Sequence, residues 1–294
     1  MVGKAPAALV QRLRECAASP TYIFLIFKGI FRFHPHSTYN ETEGPSWGRP
    51  PDLFHWRDET MNDRSQTLAY ADLARGGVVS QEQRNKVLRN TYWLLALSLL
   101  PTVLGAWVGL STGITRSLGG GLGLVVFLAG AFGFMFAIEK TKNSAAGVPV
   151  LLAFTFFMGL MLSRMIGAVL GMQNGSQLVM TAMAGTAGVF FVMATLASVI
   201  KRDISGMGKW LFVGAMVIFV GAIINVFLGS TVGMMVISTL CVGVFSLYML
   251  YDLKRIIDGG ETNYISATLA LYLDLFNVFQ GLLALLGLSG GNSD

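Results

Sequence analysis

From Thr91 onward the sequence is built of apolar runs of 18 or more residues, separated by short polar connections. Each run is long enough to cross a ~30 Å hydrocarbon core as a helix. Lipid offers the backbone no hydrogen-bond partners, so such runs are confined to helices, whose bonds close internally. Spans are expected at about 91–111, 118–138, 148–170, 177–199, 209–229, 231–252 and 264–288. The expected fold is therefore all-α: a polytopic membrane protein with seven transmembrane helices. The charged fraction agrees, at 13% against roughly 25% in soluble domains. The 35 glycines suit helices whose backbones approach closely in lipid.

Residues 1–60 have a different character, with six of the eight prolines and all three histidines, His34, His36 and His55. Their one apolar run, Tyr22 to Ile30, is too short to span and is broken by Lys28. No small-residue cleavage site follows it, which argues against a secretory signal. Met61 opens a polar segment that leads into the first span. Two expectations stand side by side: a functional chain that starts at Met61, with 1–60 an upstream translation artefact, or 1–60 as a poorly ordered cytoplasmic tail. On either, 61–90 is a cytoplasmic N-terminal tail and 91–288 the seven-helix membrane domain.

Lysines and arginines beside the spans set the orientation. Arg75, Arg84, Lys86, Arg89, Lys140, Lys142, Lys201, Arg202, Lys209, Lys254 and Arg255 fall on one side, and only Arg116 on the other. The N-terminus is expected in the cytoplasm and the C-terminus in the periplasm. The net charge of +5 follows this topology rather than one soluble face, so the expected partner is the lipid bilayer and not nucleic acid. The two cysteines, Cys16 and Cys241, provide no disulfide framework or metal motif.

Ionisable groups inside apolar segments are expensive, and so mark candidate function. Glu139 ends the second span beside Lys140 and reads as an interfacial charge. Arg164 lies toward the outer end of the third span, where its stem can snorkel to the headgroups or serve as a counter-ion inside the bundle. Asp252 ends the sixth span, with Arg255 one turn on. Asp274 is ten residues into the last span, about 15 Å along its axis, too deep for a short side chain to escape. Ala267, Ala270, Asp274, Asn277, Gly281 and Ala284 recur at spacings of 3 and 4, which places them on one stripe of one helix. Leu269, Tyr272, Leu273, Phe276, Phe279, Leu283 and Leu286 line the other side. The small stripe implies close helix contact, with Asp274 and Asn277 inside the bundle.

The sixth and seventh spans are joined by a short turn and run antiparallel, so Asp252 and Asp274 can approach. Two carboxylates brought close in a low dielectric cannot both ionise cheaply; such a pair shares a proton, binds a cation or switches with pH.

Around these residues the chain resembles the Bax inhibitor family. Phe245-Ser-Leu-Tyr-Met-Leu-Tyr-Asp252-Leu is similar to that family's sixth-helix motif, and Ala270-Leu-Tyr-Leu-Asp274-Leu-Phe-Asn277-Val-Phe to its last-helix motif. Lys86-Val-Leu-Arg-Asn-Thr-Tyr92 and Gly259-Gly-Glu-Thr-Asn-Tyr-Ile265 resemble the bacterial branch that modulates the membrane protease FtsH. The resemblance covers about residues 80–288. It implies a seven-helix fold with the last helix central, and it matches Asp252 and Asp274 to the family's di-aspartate pair, linked in some members to pH-dependent calcium leak. It also implies an inner-membrane protein that binds FtsH and its HflK/HflC partners and restrains degradation of membrane proteins. There are departures. Channel-like members carry an Arg near the cytoplasmic end of the second helix, where this chain has Phe136-Ala-Ile-Glu139. A second latch in that group uses an Arg in the last helix, where this chain has Leu282-Leu-Ala284.

Three functions follow as expectations. The first is a non-enzymatic modulator of FtsH. The second is a cation leak channel or pH sensor with Asp252 and Asp274 as its ion site, supported by Asn277 and Arg164; calcium enters only as a transported ion, and no cofactor or certain metal site is expected. The third, intramembrane proteolysis, is disfavoured: Leu271-Tyr-Leu-Asp274 lacks the Gly-x-Gly-Asp pattern of aspartyl enzymes, and the membrane part has no histidine for serine or zinc chemistry.

Overall fold

A computed structural model describes residues 80–117 and 120–290. Residues 1–60, most of the tail from Met61, and the expectations attached to them lie outside the described residues. Within these, the chain forms seven long helices and one short one: α1 (Gln81–Thr112), α2 (Ile114–Ser117), α3 (Gly120–Thr141), α4 (Gly147–Leu170), α5 (Gly175–Val199), α6 (Met207–Leu228), α7 (Thr231–Ile257) and α8 (Tyr264–Gly290). All but α2 and α3 are long and apolar enough, over their described residues, to cross a membrane. Residues 120–141 supply a further 22-residue helix, long enough for the same role.

Local chemistry fixes the helix ends. Ser80 caps α1 by accepting from the Gln83 N–H (3.2 Å), while the Gln83 side chain accepts from the Ser80 N–H (3.4 Å), a reciprocal capping box. This cap starts the helix at Gln81, ten residues before the apolar run, so residues 81–90 are the first turns of α1 rather than part of a tail. At the end of α7, Gly259 takes φ 81°, which glycine adopts without strain. Its N–H donates to the Ile256 carbonyl (3.1 Å) and that of Gly260 to the Arg255 carbonyl (2.8 Å), the paired bonds of a Schellman stop. Asn263 then starts α8: its Oδ1 accepts from the N–H groups of Ile265 (2.9 Å) and Ser266 (3.1 Å).

The last helix is the hub. Two-thirds of its apolar window is buried, 67%, against 11% for α5, and α1, α4, α5 and α7 all pack on it. Burial extends to both sides that the spacing distinguished. Ala267, Asp274 and Gly281 are buried, but so are Leu269, Tyr272, Leu273, Phe276 and Leu283. Burial covers most of the circumference, with Leu275, Phe279, Leu282 and Leu286 on a half-buried line, and the small stripe marks the closest approach. α3 packs on the outside of α4 through Phe127, Phe134, Phe154 and Phe157, and α6 on the outside of α7.

α1 and α4 approach most closely through glycines. A Cβ at Gly159 would run into the Thr102 carbonyl, one at Gly105 into the Phe156 carbonyl, and one at Gly109 into the Ser163 hydroxyl. Gly109 therefore packs within the bundle.

Candidate functional site

The α3–α4, α5–α6 and α7–α8 connections gather at one end of the bundle. The Asn263 side-chain amide donates to the Lys142 carbonyl (3.0 Å) and to Asn143 Oδ1 (2.9 Å), tying two of these connections together. The third is placed by Gly208, which packs against the Tyr251 ring and hydroxyl. This end carries Lys140, Lys142, Lys201, Arg202, Lys209, Lys254 and Arg255 and is called the basic end below.

Asp252 and Asp274 are both buried, on α7 and α8. The register of these helices follows from two contacts: the Cys241 thiol donates to the Asn277 carbonyl (3.8 Å), and Gly281 sits against the Ser238 carbonyl and Val242. Asp252 lies eleven residues from Cys241 and Asp274 seven from Gly281. Both separations are close to whole turns, so each acid shares the face that meets the other helix. Asp252 is nearer the basic end, with an axial offset of roughly 10 Å between the two Cα atoms. Because side chains tilt toward the N-terminus of their own helix, and the helices are antiparallel, the two carboxyl groups lean toward one another. Asp252 Oδ1 and Oδ2 and Asp274 Oδ2 are sealed from solvent.

The other sequence candidates take the following places. Asn277 is buried, but its amide folds back on its own helix, donating to the Leu273 carbonyl (2.6 Å). Arg164 is half-buried and lies nine residues past Thr155 on α4, about 13 Å further along the axis, toward the end opposite the basic one. Arg255 turns away into the α7–α8 connection, where its Nε donates to the Gly260 carbonyl (3.1 Å) and its guanidinium lies 3.7 Å from Glu261. Glu139 pairs with Lys142 and Lys140 sits over the Phe136 ring, which agrees with an interfacial reading.

Two polar groups were missed from the sequence. The Tyr272 hydroxyl lies 2.9 Å from the Thr102 hydroxyl and 3.5 Å from the Thr155 carbonyl, joining α8 to α1 and α4. The Thr268 hydroxyl reaches the Thr91 carbonyl (3.4 Å). The visible signal was on α1, where Thr91, Ser98, Thr102, Gly105 and Gly109 form a small and polar stripe at spacings of 7, 4, 3 and 4.

The family profile described as "Inhibitor of apoptosis-promoting Bax1" matches residues 84–291, all seven long helices almost end to end. The chain belongs to the Bax inhibitor family. Among relatives of this Bax inhibitor protein, "Modulator of FtsH protease YccA" of Escherichia coli is 37% identical over 203 residues, covering 69% of this chain and 90% of the relative. An "Uncharacterized membrane protein" of Vibrio cholerae is 37% identical over 210 residues, covering 71% and 92%. "Uncharacterized protein PA2604" of Pseudomonas aeruginosa is 34% identical over 215 residues, covering 73% and 95%. The matched residues span the helical membrane bundle that the structure organises around its last helix. In this Bax inhibitor protein the stretch Gly259–Ile265 has a structural task, as it stops α7, starts α8 and holds the α3–α4 connection.

Proposed function

We propose that this protein is a non-enzymatic inner-membrane modulator that binds FtsH, with its HflK/HflC partners, and restrains degradation of membrane proteins. The observation that carries this reading is the 37% identity to a protein named as a modulator of that protease, over 90% of that protein's length. The basic end faces the cytoplasm on this reading, as the lysine and arginine asymmetry favours, which places the C-terminus in the periplasm. A test is co-isolation: affinity-tagged protein extracted in mild detergent should bring FtsH and HflK/HflC with it. Recovery no greater than for an unrelated multi-pass protein of equal abundance would remove the support.

A second reading has its own observation. Two acids buried on facing sides of α7 and α8 suit a site that exchanges protons or passes a cation such as calcium. Such groups are retained in membranes at a cost and so point to function. Cation flux into liposomes, measured against pH with wild-type protein and Asp274→Asn, tests it. Loss of the pH response in the variant is expected, and an unchanged response would sink this reading.

A further inference from the structure

Apart from the half-buried Arg84, the cations of the basic end and of the adjoining start of α1 fall into two groups. Lys142, Lys254 and Arg255 turn into the connections and engage Glu139, Asp258 and Glu261. Lys86, Arg89, Lys140, Lys201, Arg202 and Lys209 are exposed and pair with no acid among the described residues. They stand on α1, α3, the α5–α6 connection and α6, around the perimeter of the bundle.

Exposed aromatic rings accompany them. Trp93, 74% exposed, follows Arg89 by one turn of α1; Trp210, 78% exposed, adjoins Lys209; and the Phe136 ring lies 4.5 Å from the Lys140 ammonium. The two tryptophans share a depth. Trp93 is two residues past Thr91, which meets Thr268 of α8. Trp210 is two residues past Gly208, which packs on Tyr251, the neighbour of Asp252. By the register of α7 and α8, Asp252 is itself level with the region of Thr268. Below Trp93 the same face of α1 continues as exposed Leu97, Leu100 and Leu104. At the other end of the bundle no described Lys or Arg side chain is exposed.

We propose that this collar is a binding surface for anionic phospholipid headgroups of one leaflet. The six cations hold phosphates, and Trp93, Trp210 and Phe136 mark the boundary between headgroups and acyl chains. Tryptophan rings favour that boundary because they are apolar with one polar N–H, and anionic lipid attracts cations that stand beside it. Lipid is favoured over an acidic protein because the collar runs without a break into the apolar face of α1. The inference is independent of any action on a protease.

The test uses the full chain in bilayers of phosphatidylcholine with phosphatidylglycerol, with tryptophan fluorescence quenched by brominated lipids of either headgroup. One form keeps Trp93 and Trp210 as its only tryptophans (Trp47→Phe, Trp56→Phe, Trp107→Phe). A second keeps only Trp107, which is 65% exposed and fourteen residues further along α1. Brominated phosphatidylglycerol should be preferred about fivefold near Trp93 and Trp210, with no preference near Trp107. The preference should fall toward unity in ~1 M salt and in the triple variant Arg89→Gln, Lys140→Gln, Lys209→Gln. Equal quenching by both lipids at Trp93 and Trp210, equal preference at Trp107, or a preference unchanged in the triple variant would overturn the proposal. So would abolition by millimolar inorganic phosphate at constant ionic strength, which would assign the cations to a free anion. Trp107 also reports whether the triple variant remains inserted.

Discussion

The Tyr272 hydroxyl on α8 and the Thr102 hydroxyl on α1 lie 2.9 Å apart, both buried. Thr102 also donates to the Ser98 carbonyl (2.9 Å), which leaves its oxygen free to accept from Tyr272. The central helix is thereby joined to the glycine-packed pair of α1 and α4. Buried hydrogen bonds between membrane helices contribute about 0.6 kcal/mol on average and up to about 1.7 kcal/mol. Tyr272→Phe should therefore destabilise the protein by about 1 kcal/mol, read as a lowered midpoint in denaturing-detergent titration with the fold retained.

The glycines of the α1–α4 seam should be far less tolerant than their number in the chain suggests. A Cβ at Gly159 meets the Thr102 carbonyl, whereas one at Gly133 meets nothing within 4 Å. Gly159→Ala should lower the thermal midpoint measurably, since two backbones must separate to admit a methyl group. Gly133→Ala should leave it unchanged or raise it, because alanine favours a helix by up to ~1 kcal/mol over glycine. A matched pair of melts decides the point.

Asn263 has two tasks that can be separated. Its Oδ1 caps α8, and its Nδ2 holds the α3–α4 connection through Lys142 and Asn143. Asn263→Ala should cost about 1–2 kcal/mol for the cap alone. Asn263→Asp keeps the cap and loses the donors, so it should melt between wild type and Asn263→Ala. Hydrogen exchange in residues 142–146 should rise in both variants.

The α5–α6 connection carries a pH-sensitive turn. Asp203 accepts the Ser205 N–H (2.8 Å) and the Ser205 hydroxyl (3.0 Å). These bonds, the backbone one first, hold its carboxyl below the ordinary range for aspartate. A carboxylate lowered in the folded state supports the turn above its unfolded value, and that support fades as pH falls through the lowered folded value. Protection of the Ser205 amide, corrected for intrinsic exchange, should hold down to the ordinary aspartate range and decline only below it. Asp203→Asn should remove that pH dependence.

Much of this architecture was legible in the sequence because lipid imposes so few solutions. The apolar runs located the seven long helices and the short turn before the last one. Hydropathy recorded where lipid begins, not where helix begins, so α1 was placed ten residues short of its start at Gln81 and α7 five residues short of Ile257. The candidate acids were visible as misplaced charges, and the structure carries both on facing sides of two helices. Tyr272 was not recognised because a large aromatic residue among leucines has the same spacing whether its neighbours are acyl chains or other helices. Only the partner helices distinguish the two, and the polar stripe of α1 is the signal that could have pointed to such a partner. Arg164 was read from its helix alone, as a snorkelling charge or a counter-ion, and a single helix cannot decide between them because the choice depends on how α4 stacks along α8.

The central claim, restraint of FtsH, is tested most directly by the half-life of an unstable FtsH membrane substrate. The measurement is made in cells lacking the native protein and in the same cells expressing it, with insertion in the membrane verified. A lengthened half-life is the expected result, and Asp274→Asn run alongside shows whether the buried acid takes part. An unchanged half-life with the protein present in the membrane would contradict the claim and leave the acid pair as the basis for function.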